Sequence, residues 1–437
     1  MSLMHFSMIN LGCNKNLVDS QHILARLIEK ENKRLIYNPD PYDDNVKYVI
    51  LNTCGFISSA RDEMKSVIYD LIESNKKIIV FGCGVQYYEK LVKSVEEEIL
   101  NHPNVLKMSR DDIKKLDLKI MENGYNSHIF GDFQRDESPR AYTNAQLGFE
   151  YLKIAEGCNN ECKFCIIPQI RGSLTSRTID SILVEVKTMI DSGIKEIIFL
   201  AQDSGRYGLD LYNKPSLFKL LEKVEEIQGD FMYRVLYLYP DVVSLKHLEK
   251  LTKFEKFIPY FDIPLQHISS NVLKRMGRFY DEEYIYKFLN FIKDNFPQRY
   301  VRTNIIVGYP GENEDDFERL KDFLKLGYFD NIALFEYFDE PLAASSKLDE
   351  KLSDDVISSR FSELKKIVDN ILDKKASEST EDNWGFVEDF GETEDELIVR
   401  PWLHAPEIDP TIILTFDQVK GVLNESGEVN IGERVIY

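Results

Sequence analysis

Residues Tyr151 to Gly172 read YLKIAEGCNNECKFCIIPQIRG. An apolar run, Tyr151 to Ala155, stops at a turn that carries three thiols, Cys158, Cys162 and Cys165, within eight residues. Three soft ligands so close together form a metal-binding pattern. A structural zinc normally takes four protein ligands in a closed tetrahedron, usually as two close pairs, and here only a distant His267 is on offer as a fourth. An iron-sulfur cubane held by three cysteines leaves one iron open instead. Disulfides are disfavoured because three thiols cannot pair among themselves. No Lys/Arg-then-apolar leader opens the chain, so the expected setting is the reducing cytoplasm, where thiols stay free.

The chain has 437 residues, enough for two or three domains each with its own core. Its longest apolar runs are strand-sized, so no membrane span is expected. With 54 Lys and Arg against 74 Asp and Glu, the net charge is -20. That balance disfavours a nucleic acid held by general electrostatics and suits a basic protein partner. No internal repeat or low-complexity tract is present.

The remaining cysteines share one local setting. FSMINLGC ends at Cys13, KYVILNTC at Cys54 and KIIVFGC at Cys83, each a short apolar run stopping at a thiol. Helical patterns lie between them, at Val18 to Lys30 (Val18, Ile23, Leu24, Leu27, Ile28) and Ser59 to Ser74 (Met64, Val67, Ile68, Leu71, Ile72). Strand-helix-strand units of this length build a parallel sheet. Open α/β sheets bind ligands beyond the carboxyl ends of their strands, so the three thiols should meet at one sheet edge. Free cysteine is often only a small buried hydrophobe. Flanking by Gly or Asn-Thr favours a second three-thiolate cluster over that reading.

Leu91 to Gly131 reads as a charged helix with short connections, and residues 132–147 as a linker. Six apolar runs then alternate with helical stretches: Tyr151 to Ala155, Lys195 to Ala201, Tyr233 to Tyr239, Tyr260 to Leu265, Val301 to Val307 and Ile332 to Tyr337. Six β-α repeats are two short of a closed eight-fold barrel. Polar groups gather at the strands' carboxyl ends, where active sites of parallel barrels sit: Gln202 with Asp203, Pro240 with Asp241, Gln266 with His267, and Gly308 to Glu312 (GYPGE). Gln202, Gln266 and Arg177 can hydrogen-bond a charged amino acid moiety or a ribose, although Asp and Asn at such ends often only cap the next helix. His267 reads as a neutral hydrogen-bonding histidine before it reads as a ligand. Gly308 lets backbone come close to a cofactor, or only makes a tight turn.

Ser353 to Ala376 is a long amphipathic helix with a Ser cap and acidic first turn, its stripe running Ile357, Phe361, Leu364, Val368, Ile371. Glu378 to Tyr437 then holds 15 Asp and Glu against 3 Lys and Arg. Short β-type runs (Trp384 to Val387, Leu397 to Val399, Thr411 to Phe416, Arg434 to Tyr437) predict a small all-β barrel. Its acidity would repel a nucleic acid and attract a basic protein.

The spacing CxxxCxxC, with Phe164 just before the last cysteine, resembles the signature of the radical S-adenosylmethionine (SAM) superfamily. Together with NLGCNKNLVDS, LNTCGFI, FGC, FDIPLQH, LKRMGR and NIIVGYPGE, nearly the full chain resembles the methylthiotransferase branch of that superfamily. The resemblance implies an N-terminal methylthiotransferase domain (1–131), an open six-stranded partial barrel (148–377) and a TRAM domain (378–437). It implies two 4Fe-4S clusters, one on Cys158, Cys162 and Cys165 and an auxiliary one on Cys13, Cys54 and Cys83. It further implies S-adenosyl-L-methionine near Phe164, Arg177, Gln202, Gln266 and Gly308, an electron donor such as flavodoxin or ferredoxin, and a sulfur donor. The wording of the motifs and the acidic C-terminus resemble the members that modify an aspartate of ribosomal protein S-twelve. The alternatives are a tRNA adenosine methylthiotransferase and a non-catalytic iron-sulfur or zinc module.

Overall fold

The apolar runs that stop at Cys13, Cys54 and Cys83 are neighbouring strands of one parallel sheet. A computed structural model of the chain describes residues 4–30, 35–88, 98–108, 140–377, 383–393, 395–423 and 429–437. In it Met4–Leu11, Val46–Thr53 and Lys77–Gly82 lie side by side, flanked by the short edge strands Leu35–Tyr37 and Val105–Lys107, all parallel. Val46–Thr53 and Lys77–Gly82 are buried along almost their whole length, as strands covered on both faces must be. Register pairs Leu11 with Thr53 and Thr53 with Gly82, so the three strands end level. Each cysteine follows within two residues of its strand's end.

Helix Asn14–Lys30 packs Ile23, Leu24 and Leu27 against Phe6, Tyr48, Ile50, Ile79 and Phe81 of the sheet. Ile28, counted with that stripe in the sequence, is 51% exposed, because at 100° per residue it falls past the edge of the buried face. Helix Ser58–Glu73 buries Met64, Ile68 and Leu71. Most of the charged helix expected between Leu91 and Gly131, and the linker up to residue 139, lie outside the described residues. Within them Val105–Lys107 is a strand and Ala145–Leu147 a single 3-10 turn.

Two compact units divide the chain: residues 1–142 with 155–160 and 165–175, and residues 143–154 with 161–164 and 176–437. The second unit holds six parallel strands in chain order, Phe149–Lys153, Glu196–Leu200, Met232–Val235, Phe257–Gln266, Tyr300–Val307 and Asn331–Glu336. Among the described residues the first and last of these strands are the edges of the sheet. The expected run Tyr233 to Tyr239 stops as a strand at Val235. Tyr237 turns left-handed (φ 62°) and its N–H donates to the Asp262 carboxylate at 3.0 Å. The long helix Asp354–Ser377 buries Ile357, Leu364 and Val368, and Arg360 ties it to Glu312 at 2.7 Å.

Also in the second unit, an antiparallel sheet runs Ile412–Thr415, Glu396–Pro401, Trp384–Phe390, Arg434–Ile436, Gly421–Val422 around Val387, Leu397, Val399, Leu414 and Val435. Gly421–Val422 escaped the sequence reading, being two residues long. This acidic module and its connection at 402–410 meet the parallel strands at Glu196, Tyr300 and Asn331, each the first residue of its strand. The Arg234 guanidinium donates to the Trp402 and Leu403 carbonyls, each at 2.9 Å, and the Tyr151 hydroxyl to the Pro406 carbonyl at 2.9 Å. The Asn331 amide donates to Asp409 at 2.5 Å. The module therefore covers the face opposite the strands' carboxyl ends. Among the described residues no helix is long and apolar enough to cross a membrane.

Candidate metal centres

In the first unit the level strand ends bring Cys13, Cys54 and Cys83 together. Burial pushes the Cys54 thiol up to about 11, and its neighbours Cys83 and Cys13 add to the shift. Gly55 makes the approach possible: a Cβ there would stand 2.4 Å from the Cys83 carbonyl oxygen. Arg61 holds that turn by donating to the Gly55 carbonyl at 3.0 Å. Helix Asn14–Lys30 starts on the Cys13 carbonyl, which accepts from Asn16 N at 2.7 Å. A helix amino terminus favours a thiolate there. The Asn16 side chain is locked by Asn52 and the Thr53 carbonyl, both at 3.1 Å, and its Oδ1 lies 3.8 Å from Cys13 Sγ and 3.9 Å from Cys83 Sγ.

The same unit contains the outer two thiols of the CxxxCxxC turn. The Asn160 N–H donates to Cys158 Sγ and the Ile167 N–H to Cys165 Sγ, both at 3.4 Å. The Cys158 N–H donates to the Gly172 carbonyl at 3.1 Å, which closes the turn on itself.

In the second unit Cys162 faces Arg278. Burial raises its thiol above the ordinary value and the Arg278 charge opposes that shift. The Arg278 guanidinium is buried between the rings of Tyr239 and Phe164, 4.6 Å and 5.6 Å from their centroids. Phe164 meets Tyr309 edge-on at 6.5 Å. The backbone at Lys163 is pinned by the Met276 carbonyl at 3.0 Å and the Ser345 N–H at 2.8 Å.

The strands' carboxyl ends carry the other residues singled out in the sequence. Gln202 and Gln266 are buried, and Gln266 is left-handed (φ 75°), an uncommon state for a residue with a side chain. Gly308 is also left-handed (φ 81°) and its N–H donates to Glu312 at 2.8 Å. His267 is buried with Nε2 3.5 Å from that Glu312 carboxylate, while its Nδ1 accepts from Ser269 N at 3.0 Å. Asp203 and Asp241 share Arg206, at 3.2 Å and 2.6 Å. Arg177 lies just before the helix Ile179–Asp191: its guanidinium is paired with Glu185 and donates to the Ser181 hydroxyl at 3.1 Å. Arg177 precedes the N-cap Thr178 and reaches along the first turns of that helix to Ser181 and Glu185. Arg278 and Arg171 were passed over because an isolated arginine carries no periodic signature.

In a cubane each thiolate binds a different iron, so three thiols can hold it without sharing one metal ion. Thiols only, with backbone N–H groups and buried cations turned toward them, suit iron-sulfur centres.

Comparison with known proteins agrees. Residues 152–324 match the Radical SAM superfamily and residues 5–101 the Uncharacterized protein family UPF0004. The ribosomal protein uS12 methylthiotransferase RimO of Dictyoglomus thermophilum is 35% identical, over 98% of this chain and 95% of its own length. The chain belongs to the RimO family. RimO of Campylobacter jejuni is 39% identical over 84% of this chain and 81% of its own, and RimO of Chlamydia pneumoniae 37% over 94% and 87%. Among solved structures, the radical SAM methyltransferase TsrM from Kitasatospora setae aligns with TM-score 0.54 at 12% identity, covering 76% of this chain and 72% of that one. The cobalamin-dependent SAM radical enzyme OxsB aligns at 0.53 and 14%, covering 84% and 56%. At such identities the likeness concerns the fold alone. The resemblance read from the sequence to the methylthiotransferase branch holds, and RimO proteins belong to it.

Proposed function

We propose that this chain is a radical SAM methylthiotransferase that places a methylthio group on the β carbon of an aspartate in ribosomal protein uS12 (S-twelve), the protein named for its relatives. Agreement with RimO over the full length carries the reading. Cys158, Cys162 and Cys165 would hold one 4Fe-4S cluster, and Cys13, Cys54 and Cys83 the auxiliary one. When bound, the clusters and S-adenosyl-L-methionine supply a 5′-deoxyadenosyl radical and the sulfur and methyl group to be transferred. Such chemistry is needed because an aspartate β C–H is unactivated, and no side-chain base at neutral pH removes that proton.

The chain's own groups do the rest. N–H groups of Asn160 and Ile167 stabilise the Cys158 and Cys165 thiolates, and Arg278 sets the charge beside Cys162. Phe164, Gln202, Gln266 and the Gly308 backbone are the proposed contacts to S-adenosyl-L-methionine. Arg177, held by Glu185, is the remaining proposed contact. Residues 1–131, 148–377 and 378–437 serve as auxiliary, radical and TRAM domains. The acidic TRAM module lies opposite the strands' carboxyl ends, so it would tether the basic partner by long-range attraction and leave the reacting carbon to the rim. An electron donor such as flavodoxin or ferredoxin, a sulfur donor and a cytoplasmic setting complete the reading.

Iron analysis of anaerobically reconstituted variants tests it. Replacing Cys13, Cys54 and Cys83 by Ala should remove half the iron, keep 5′-deoxyadenosine formation and stop methylthiolation. Full iron in that variant would refute the assignment.

A further inference from the structure

The helix Ile167–Arg171, which follows Cys165, ends in an arginine whose side chain is only 3% exposed. Arg171 Nε donates to Cys83 Sγ at 3.2 Å. Nη2 donates to Asn16 Oδ1, the oxygen that lies beside the Cys13 and Cys83 sulfurs. Nη1 donates to Glu156 at 2.8 Å and stands 3.9 Å from Asp19. A guanidinium keeps its proton even when buried, and its charge must be matched. Glu156 Oε1 receives Nη1 together with the Gly157 N–H at 3.3 Å, while the Nε edge is turned to a sulfur.

We propose that Arg171 is a positioning residue that sets the reduction potential of the iron-sulfur centre held by Cys83. The inference rests on reading Cys83 as a cluster ligand. Hydrogen bonds and charge at the ligand sulfurs tune such potentials. One-electron reduction adds negative charge to the cluster and its thiolates, so a cation donating to one of them stabilises the reduced form and raises the potential. Arg171 lies in the segment that also carries Cys158 and Cys165. The potential of one centre is thus set by the stretch that supplies ligands to the other.

The test uses the full chain with Cys158, Cys162 and Cys165 replaced by Ala, so that only the auxiliary cluster contributes. Dye-mediated titration with dithionite, followed by electron paramagnetic resonance, gives its midpoint potential. Arg171→Met should keep the iron and sulfide content and move the potential to more negative values, and Arg171→Lys should shift it less. An unchanged potential in a loaded Arg171→Met variant overturns the proposal. Should Arg171→Met not load, a loaded Arg171→Lys variant with unchanged potential overturns it equally. Cys83→Ala in the same background separates the two readings: if it retains the full auxiliary cluster, the ligand assignment fails, whatever the potentials do.

Discussion

Glu196 and Arg400 form an ion pair at 2.8 Å with neither side chain exposed, joining the first residue of a parallel strand to a strand of the acidic module. The same carboxylate takes Arg234 Nε at 2.5 Å, and Arg400 also donates to Glu388 at 2.5 Å. Removing one partner of a buried pair strands the other's charge. Glu196→Gln should cost about 3–5 kcal/mol in chemical denaturation of the whole chain. Breaking the exposed Lys365–Asp369 pair, a control on the same protein, should change stability by no more than about 0.5 kcal/mol.

A methyl group at Gly55 would press on the Cys83 carbonyl at 2.4 Å and on Gly84 Cα at 2.9 Å, both backbone atoms that cannot swing aside. Gly55→Ala is expected to lose the auxiliary iron and sulfide while 5′-deoxyadenosine formation continues. Iron and acid-labile sulfide analysis beside that assay checks it. Full loading would show that the close approach of the two turns does not matter to the thiol set.

Arg278 is a buried cation stacked on Phe164 and Tyr239 beside Cys162. Contact of a desolvated guanidinium with an aromatic face is worth about 2 kcal/mol, so Arg278→Gln should lower 5′-deoxyadenosine yield on the order of 10-fold. Lysine keeps the charge without the planar stacking fork, so Arg278→Lys should recover only part of the loss. Equal yields from all three proteins would remove Arg278 from the site.

Acid should weaken the fold through two histidines. His404 packs on Tyr300 with ring centres 4.7 Å apart, and burial holds its pKa below the ordinary value. His247, stacked on Phe218 at 4.3 Å, is depressed for the same first cause. An unfolded histidine titrates near about 6.5. Below that pH the unfolded chain takes up protons that the folded one refuses. Their contribution is therefore complete above about pH 6.5 and declines as pH falls toward the folded-state values. Melting temperature should drop between pH 7 and 5.5, and His404→Gln with His247→Gln should flatten that slope. A double variant with the parent's slope contradicts the assignment.

Much of this was legible in the sequence because thiols at strand ends have only one place to go. Parallel strands of similar length finish level, and Leu11, Thr53 and Gly82 do so. The edge strands Leu35–Tyr37 and Val105–Lys107 are three residues each, too short to show a period. Charge pairing over long separations was hidden as well. Glu196 opens an apolar run and reads as a solvated flank, yet it is buried because Arg234 and Arg400 reach it from elsewhere in the chain. Arg171 and Arg278 belong to the same class: their meaning lies in what they face. Arg177 is a further case, lying before the helix Ile179–Asp191 whose Ser181 and Glu185 it meets.

The central claim is that a radical made on one thiol set leads to sulfur transfer onto a protein. Reduced, fully loaded enzyme with S-adenosyl-L-methionine, given uS12 and tRNA together under anaerobic conditions, tests it most directly by mass spectrometry of both products. The account predicts a methylthio group on an aspartate of uS12 and none on tRNA. A modified adenosine with unmodified uS12, or no 5′-deoxyadenosine at all, would contradict it.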